Sequence, residues 1–377
     1  MKSCVLSLRV PCWKKEASVV EQCTDVQVKI DGAVGRITLT RTNALNALSH
    51  DMALAIEKAL IGWINDSSVK IILIEGDGDR AFCAGGDVNW LYNCGLDKNY
   101  AEPAQFWRDE YRLNELIASY PKPFFSFMHG LVMGGGVGIS AHCSHRIVTD
   151  SSMIAMPECS IGLVPDVGGS LLLANAPGYL GEYLALTSYK MNAADAIFCS
   201  FADYFVSEAK LEDLKKALVR TGDPDIVFDF VSDAGESILS ELQKDVDEHF
   251  CLDSVDEICA SMLNIENESW SVKSASQIQR NSVLSAIIAL NLIRKARKHH
   301  NLYQALADEY RFVSRALEHG EFLEGVRAAV IDKDRKPQWK YKTISDVPAN
   351  LVSLMLSESD DGDIDKLNLE TILRTAL

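Results

Sequence analysis

The fold is decided by KPFFSFMHGLVMGGGVGISAHCSHRIVTD, residues 122–150. Lys122 to Met128 is a short aromatic run of strand length, and Gly130 to Gly136 a glycine-rich loop. VGISAHCSH (137–145) reads as a helix and RIVTD (146–150) as the next strand. The same unit stands upstream, with VKIILIEG (69–76) as a buried strand, GDGDRAFCAGGD (76–87) as a glycine loop and VNWLYNCG (88–95) opening a helix. Downstream, SMIAMPE (152–158) is strand-like and LVPDVGGSLLLANA (163–176) leads into another helix. Strand, glycine loop and helix in succession are α/β patterning with parallel strands.

Working outward, VQVKIDGAVGRITLTR (26–41) alternates around Gly32 and Gly35 as a β-hairpin. NALNALSHDMALAIEKALIGWIND (43–66) carries an amphipathic helix with Ser49 as its N-cap. After about Val231 the pattern turns helical, in ESILSELQKDVDEHFC, VLSAIIALNLIRKARKHH and LYQALADEYRFVSRALEHG. The expected organisation is an N-terminal extension (1–25), an α/β core (26–230), a helical C-terminal region (231–345) and an acidic tail with a short helix (346–377). A chain of 377 residues suits one large domain with a smaller region packed on it.

A hydrophobic content of 47% and a charged content of 24% are those of an ordinary globular protein. The net charge of −16 argues against nucleic acid or anionic lipid as partner, since both are polyanions. No apolar run approaches the roughly 18 residues of a membrane span. The apolar run in MKSCVLSLRVPCWKKEASVV is short and broken by Arg9, which argues against a secretory signal. Its scarcity of acids before Glu16 is compatible with a mitochondrial presequence. The expected compartment is therefore the cytoplasm for a bacterial source and the mitochondrial matrix for a eukaryotic one. Ten cysteines without a C-x-x-C pair read as reduced, mostly core thiols.

Neither glycine loop spells a dinucleotide or phosphate-loop motif. Each is either a tight strand-to-helix turn or one half of a pair aiming two backbone N–H groups at a single point, an oxyanion hole. No G-x-S-x-G elbow signals a serine nucleophile. His142, Cys143 and His145 lack a second ligand cluster at zinc spacing, so no metal is expected. Cys159 reads as a core thiol and His129 as a structural histidine. Glu158 and Asp166 remain, set in the apolar stretch MPECSIGLVPDVGG (156–169). Apolar surroundings raise the proton affinity of a carboxyl, as a general acid or base requires. The structural alternative is a pair of satisfied acids, with Asp166 capping a helix that begins at Val167.

AFCAGGDV (81–88), HGLVMGGGVGIS (129–140) and AMPECSIGLVPDVGG (155–169) resemble the enoyl-CoA hydratase/isomerase, or crotonase, superfamily. Within it the chain looks most like the 3-hydroxyisobutyryl-CoA hydrolases, from about Val26 to about Lys342. The resemblance implies a crotonase-like spiral of ββα units with an α-helical C-terminal region. It implies an acyl-CoA substrate whose thioester oxygen is held by the N–H groups of Gly86 and Gly135. CoA itself would be contacted by Asn46, Ala47 and Leu48 in RTNALNAL (41–48) and by Ala84, Gly85 and Gly86. No cofactor is implied beyond the CoA of the substrate. A homo-oligomer is compatible with the superfamily.

Hydratases of this superfamily hold water with two glutamates, the first at the position of Gly138 here. Asp166 stands where they carry glycine. Glu110, Gly135, Glu158 and Asp166 together match the hydrolase site. The match implies that Glu158 attacks the thioester or activates water, that Asp166 positions the reacting group and shares protons, and that Glu110 recognises the 3-hydroxyl end. Thr42-Asn43 replaces the family's Pro-Lys, which removes one phosphate contact. An enoyl-CoA isomerase working through Glu158 alone, or a non-catalytic CoA-binding subunit, are the competing expectations.

Overall fold

The computed structural model describes residues 23–263 and 269–358. In chain order its first half runs β1 (Val26–Asp31), β2 (Val34–Leu39), α1 (His50–Trp63), β3 (Ile71–Gly76), β4 (Ala81–Cys83), α2 (Val88–Leu96) and α3 (Ala101–Ala118). It continues with β5 (Phe124–Met128), β6 (Leu131–Met133), α4 (Gly135–Gly138), β7 (His145–Val148), β8 (Met153–Ala155) and α5 (Gly169–Ala174). Next come α6 (Leu180–Thr187), α7 (Ala193–Phe198), β9 (Tyr204–Phe205) and α8 (Glu208–Thr221). The helical region holds α9 (Ile238–Phe250), α10 (Val255–Leu263), α11 (Ser269–Arg280), α12 (Val283–His299), α13 (Leu302–His319), α14 (Phe322–Val326) and α15 (Ala349–Leu356).

The chain zigzags between two sheets. One has strand order β1-β2-β3-β5-β7-β9 and the other β4-β6-β8. β1 and β2 form the expected antiparallel hairpin, and every later pairing in both sheets is parallel. Each turn of the spiral therefore places one strand in the large sheet and the following short strand in the small one, with helices between turns. The large sheet is covered on both faces, so its strands are continuously apolar. Ile72, Ile74, Phe124 and Met128 face the main core, while the alternating Ile71, Leu73, Phe125 and Phe127 pack against Leu211, Leu214 and Leu218 of α8. The main core runs from Val26 to Met355, so the helical region packs onto the α/β core without a break in the apolar interior.

Ser49 caps α1 as expected, accepting from the Met52 N–H at 3.3 Å. Three expectations need correction. The segments read as glycine loops at 76–87 and 130–136 each contain a strand, β4 and β6, too short to show periodicity. The helix expected over 137–145 is the single turn of α4. Its glycines favour helix weakly, and Ser140 Oγ turns back on the Gly136 carbonyl at 2.7 Å. The helix expected from Val167 begins at Gly169, because Val167 and Gly168 take positive φ values of 55° and 78°. The short helix expected in the acidic tail, in LNLETILRTAL, lies outside the described residues. Among the described residues no helix is long and apolar enough to cross a membrane.

Candidate active site

β4, β6 and β8 run parallel, so their carboxyl ends emerge on one side of the small sheet, where α/β folds place their sites. β4 delivers Ala84-Gly85-Gly86, β6 delivers Gly134-Gly135 and β8 delivers Pro157-Glu158. The three loops border one cavity of about 170 Å³, closed further by Phe106, Trp107 and Glu110 of α3, by Asp166, and by Phe322 of α14. Among the described residues no lysine, arginine or histidine lines it.

The first glycine loop is held from behind. Leu48 pairs with it through Leu48 N–H to Gly85 O at 2.8 Å and Asp87 N–H to Leu48 O at 2.9 Å, while Ala84 N–H donates to Leu45 O at 3.0 Å. Asn46 is buried, and its amide nitrogen donates to the Asp77 and Ala81 carbonyls, both at 3.0 Å. Arg41 ion-pairs with Asp87 at 2.7 Å. Of the three residues expected to touch CoA, Asn46 and Leu48 hold the loop through these bonds, while Ala47 between them is half-buried and its carbonyl accepts from Arg41 Nη1 at 3.2 Å. Ala84, Gly85 and Gly86 line the cavity.

Gly86 and Gly135, expected to aim their amides at one point, stand side by side on the cavity wall. Gly135 opens α4, so its N–H has no partner within the helix. Among the described residues neither amide donates to a protein acceptor. A methyl group placed on Gly135 would stand 3.3 Å from Gly86 N and 2.6 Å from Glu110 Oε1. One on Gly134, where φ is +48°, would stand 2.8 Å from Glu158 Oε1. Only glycine lets both carboxyl groups approach the turn so closely.

The structure brings Glu110, Glu158 and Asp166 together around these amides, and all three are at most 5% exposed. Glu110 sits on the buried face of α3 between Phe106 and Leu113. Its Oε1 and the Oε2 of Glu158 find no protein partner among the described residues, leaving an acceptor position on each for a bound molecule. Asp166 accepts a hydrogen bond from the Tyr111 hydroxyl at 2.8 Å. Burial drives the proton affinity of Glu110 well above the carboxylate range, and the neighbouring Asp166 adds to the effect. Glu158 is raised by burial, then by Asp166 and Glu309. Asp166 is raised by burial to about 7, with the Tyr111 hydroxyl pulling it back down.

The other candidates resolve as structural groups. His142 Nε2 lies 2.8 Å from the Val167 carbonyl, and burial lowers its pKa to about 4, so the neutral ring donates there. His145 stacks on Phe125 at 4.3 Å. His129 Nε2 contacts the Gly78 carbonyl at 2.7 Å. Among the described residues no group of three or more His, Cys, Asp or Glu is arranged to hold a metal. Cys159 is fully buried and its thiol pushed upward by burial, which disfavours the thiolate a nucleophile needs.

Asp166 is not a helix cap. Its carboxyl turns to Tyr111, and the amides at the start of α5 are taken by Glu309 of α13. Tyr111 and Glu309 were missed in the sequence. Each lies beside an acid that punctuates an apolar helical stripe or is one: Glu309 falls between Ala305 and Phe312, as Glu110 falls between Phe106 and Leu113. A polar residue at such a position is the signal that finds them. Gly138 faces Val167 and Asn114. A Cβ there would stand 2.7 Å from the Val167 Cβ, so the space a second water-holding glutamate would need is filled.

Known proteins share this architecture. The profile of the enoyl-CoA hydratase/isomerase family matches residues 34–356. The mitochondrial 3-hydroxyisobutyryl-CoA hydrolase of Danio rerio is 36% identical over 344 residues, covering 88% of this chain and 89% of the relative. Small ribosomal subunit protein mS47 of Arabidopsis thaliana is 35% identical over 355 residues, covering 89% and 86%. An enoyl-CoA hydratase from Rhodobacter sphaeroides 2.4.1 superposes with a TM-score of 0.85 at 41% identity, over 91% of this chain and all of that one. With the ββα spiral, the paired glycine loops and a match over most of its length, the chain belongs to the enoyl-CoA hydratase/isomerase family.

Proposed function

We propose that this chain is an acyl-CoA thioester hydrolase that cleaves 3-hydroxyisobutyryl-CoA to 3-hydroxyisobutyrate and CoA, a step of valine catabolism. The observation that carries the reading is the convergence of Glu110, Glu158 and Asp166 on the paired glycine amides, with Gly138 and Val167 occupying the place of a second water-holding acid. The thioester oxygen takes the Gly86 and Gly135 N–H groups. Two such donors act where charge develops, and loss of one typically costs about 2.7–4 kcal/mol of transition-state stabilisation. Glu158, as carboxylate, delivers the attack, either by taking a proton from the water that adds to the carbonyl carbon or through its own oxygen. In the second case a water then hydrolyses the acyl–Glu158 anhydride and regenerates the carboxylate. The C–S bond breaks, and the thiolate leaves with a proton from the carboxyl set. Asp166, whose proton affinity sits near neutrality, is suited to that exchange. Glu110 Oε1 accepts from the 3-hydroxyl. None of these steps calls on a metal or redox cofactor.

Overall similarity does not choose among the relatives, since one is named a hydrolase, one a ribosomal subunit protein and one a hydratase. The site chooses. A purely structural subunit gains nothing from three buried acids with raised proton affinity, because each costs stability. For a eukaryotic source the proposed compartment is the mitochondrial matrix, following the Danio rerio relative's name. Cell fractionation tests it.

Free-thiol release from 3-hydroxyisobutyryl-CoA, beside enoyl- and saturated acyl-CoAs, tests the reaction. Release from the 3-hydroxyacyl substrate is expected, falling by about 10²- to 10⁴-fold in Glu158→Gln while CoA-thioester binding persists. Conversion of enoyl-CoA without thiol release would replace this reading with a hydratase or isomerase. Binding with turnover at the buffer rate would replace it with a non-catalytic subunit.

A further inference from the structure

The proposed chemistry leaves one buried acid at the site unused. Glu309 of α13 is fully buried, and its carboxylate accepts from Gly168 N–H at 2.7 Å, from Ser170 N–H at 2.9 Å and from the Ser170 hydroxyl. These donors belong to the turn that follows Asp166.

That turn is a costly one. Val167 has φ +55°, in the left-handed region that a β-branched side chain rarely enters. Gly168 follows at φ +78°, and Gly169 N–H closes on the Asp166 carbonyl at 2.6 Å. A strained turn persists only where its surroundings over-determine it, and here three groups do. His142 donates to the Val167 carbonyl, Tyr111 donates to the Asp166 carboxyl, and Glu309 takes the two amides. Glu309 thereby performs from another helix the capping that Asp166 would otherwise provide, and Asp166 is released to face the cavity.

Glu309 also repeats a pattern in the chain. Asp109-Glu110-Tyr111-Arg112 on α3 and Asp308-Glu309-Tyr310-Arg311 on α13 are the same tetrapeptide. In both, the arginine pairs with the aspartate three residues before it, at 2.5 Å and 3.1 Å. The tyrosines meet edge to face, with ring centroids 6.3 Å apart and an interplanar angle of 81°. The Arg108 guanidinium lies 5.2 Å from the centre of the Tyr310 ring. The two copies thus grip Asp166 from two sides, Tyr111 at its carboxyl and Glu309 at the backbone just beyond it.

We propose that Glu309 is a positioning residue: by tying down the Gly168 and Ser170 amides it holds the left-handed turn at Val167 that aims the Asp166 carboxyl into the cavity. The inference rests on the hydrolase reading for its kinetic consequence and on geometry alone for its structural one.

The test uses Glu309→Ala, Glu309→Gln and Val167→Gly, singly and with Val167→Gly combined with each Glu309 variant. A displacement of about 1 Å at a reacting group costs about 100-fold, so Glu309→Ala should lose about that factor in kcat with KM little changed. Glycine enters the left-handed region freely, so Val167→Gly should return a good part of the lost kcat in the double variants. The titratable groups facing Asp166 are Tyr111 and Glu110 on α3, Glu158, and Glu309 on α13, itself raised by burial to about 8 and so uncharged at neutral pH. Of these the Tyr111 hydroxyl lowers the proton affinity of Asp166. A turn that relaxes away from Tyr111 loses that hydroxyl, so both Glu309 variants should move the alkaline limb of the kcat/KM profile, set by the proton Asp166 gives up, to higher pH, which a fold defect alone would not do. If Glu309→Ala fails to fold, the Glu309→Gln series carries the same comparison. Unchanged kcat, or a loss that glycine at 167 does not relieve with an unmoved alkaline limb, overturns the proposal. A wild-type chain that releases no thiol would sink the hydrolase reading instead. The clamp would then stand or fall by the crystal structure of Glu309→Gln: a relaxed 166–170 turn without the Tyr111–Asp166 bond supports it, and an unchanged turn overturns it.

Discussion

Replacing Asp166 with asparagine should stabilise the protein at alkaline pH while abolishing turnover. The carboxyl is 5% exposed, and its proton affinity is raised from 3.8 to about 7, chiefly by burial. Between these values the folded chain holds a proton that the unfolded chain releases, so stability falls as pH rises from about 4 to about 7 and levels off above. A shift of about three units at about 1.4 kcal/mol each gives a ceiling of about 4 kcal/mol. Part of that returns to the neighbours. Asp166 raises the proton affinity of both Glu110 and Glu158, so its neutralisation lets them ionise more readily and leaves a net effect of about 2 kcal/mol. Asparagine keeps an oxygen for the Tyr111 hydroxyl, so the hydrogen bond survives. The measurement is Tm of wild type and Asp166→Asn from pH 4 to pH 9. At about 2 °C per kcal/mol for a chain of this size, the variant should gain about 4 °C at pH 8 and nothing from this effect at pH 4. A difference in Tm that does not vary with pH, or one that favours wild type more at pH 8 than at pH 4, would refute the burial argument.

Two further outcomes follow from the same geometry. Tyr111→Phe removes the hydroxyl that lowers the proton affinity of Asp166, so the pH at which Asp166 ionises should rise and, because Asp166 is the proton donor of the proposed reaction, the alkaline limb of kcat/KM should move upward. A hydrogen bond to a charged group is worth about 1.5–3 kcal/mol, so the limb should move by about one to two pH units. An unmoved limb would show that the hydroxyl does not act through Asp166. Gly135→Ala sets a methyl 2.6 Å from Glu110 Oε1 and 3.3 Å from Gly86 N, inside the space where the thioester oxygen must sit. Steady-state kinetics should show kcat down by about 10²- to 10³-fold, and near-wild-type turnover would remove the paired amides from the mechanism.

The residues whose environment is local were legible in the sequence, and those whose environment is assembled from distant segments were not. β3 and β5 announce themselves because a strand buried on both faces is an uninterrupted apolar run. β4, β6 and β8 are three residues each, shorter than any period, and they vanish into the glycine-rich segments beside them. The two acids of MPECSIGLVPDVGG stand out because they interrupt an apolar segment. The structure places both at the cavity with Glu110. Asp166 as a helix cap was the reasonable local reading. It failed because its helix is capped from α13, more than a hundred residues away in sequence. His142 and Cys143 suggested metal by proximity alone, yet the histidine serves the backbone of the strained turn. The duplicated Asp-Glu-Tyr-Arg segment was present in the letters, but its meaning needed α3 and α13 to be seen side by side.

In the proposed hydrolysis, the concentration of acid would let a site with no lining cation among the described residues expel a thiolate. Glu110, Glu158 and Asp166 border one small cavity, Glu309 lies just beyond it, and among the described residues no lysine, arginine or histidine lines the wall. Like charges so close in an apolar enclosure cannot all ionise, so the set retains protons near neutral pH. Those protons belong to the set rather than to any one member. On the reaction proposed above, attack on the thioester carbon puts negative charge first on an oxygen held by Gly86 and Gly135 and then on the departing sulfur. The amides meet the first charge and a stored proton meets the second. A cation in the cavity would hold the acids ionised and empty that store. The apolar wall around Glu158 and Asp166 is therefore part of the chemistry: replacing it with polar residues would lower their proton affinity as surely as replacing the acids themselves.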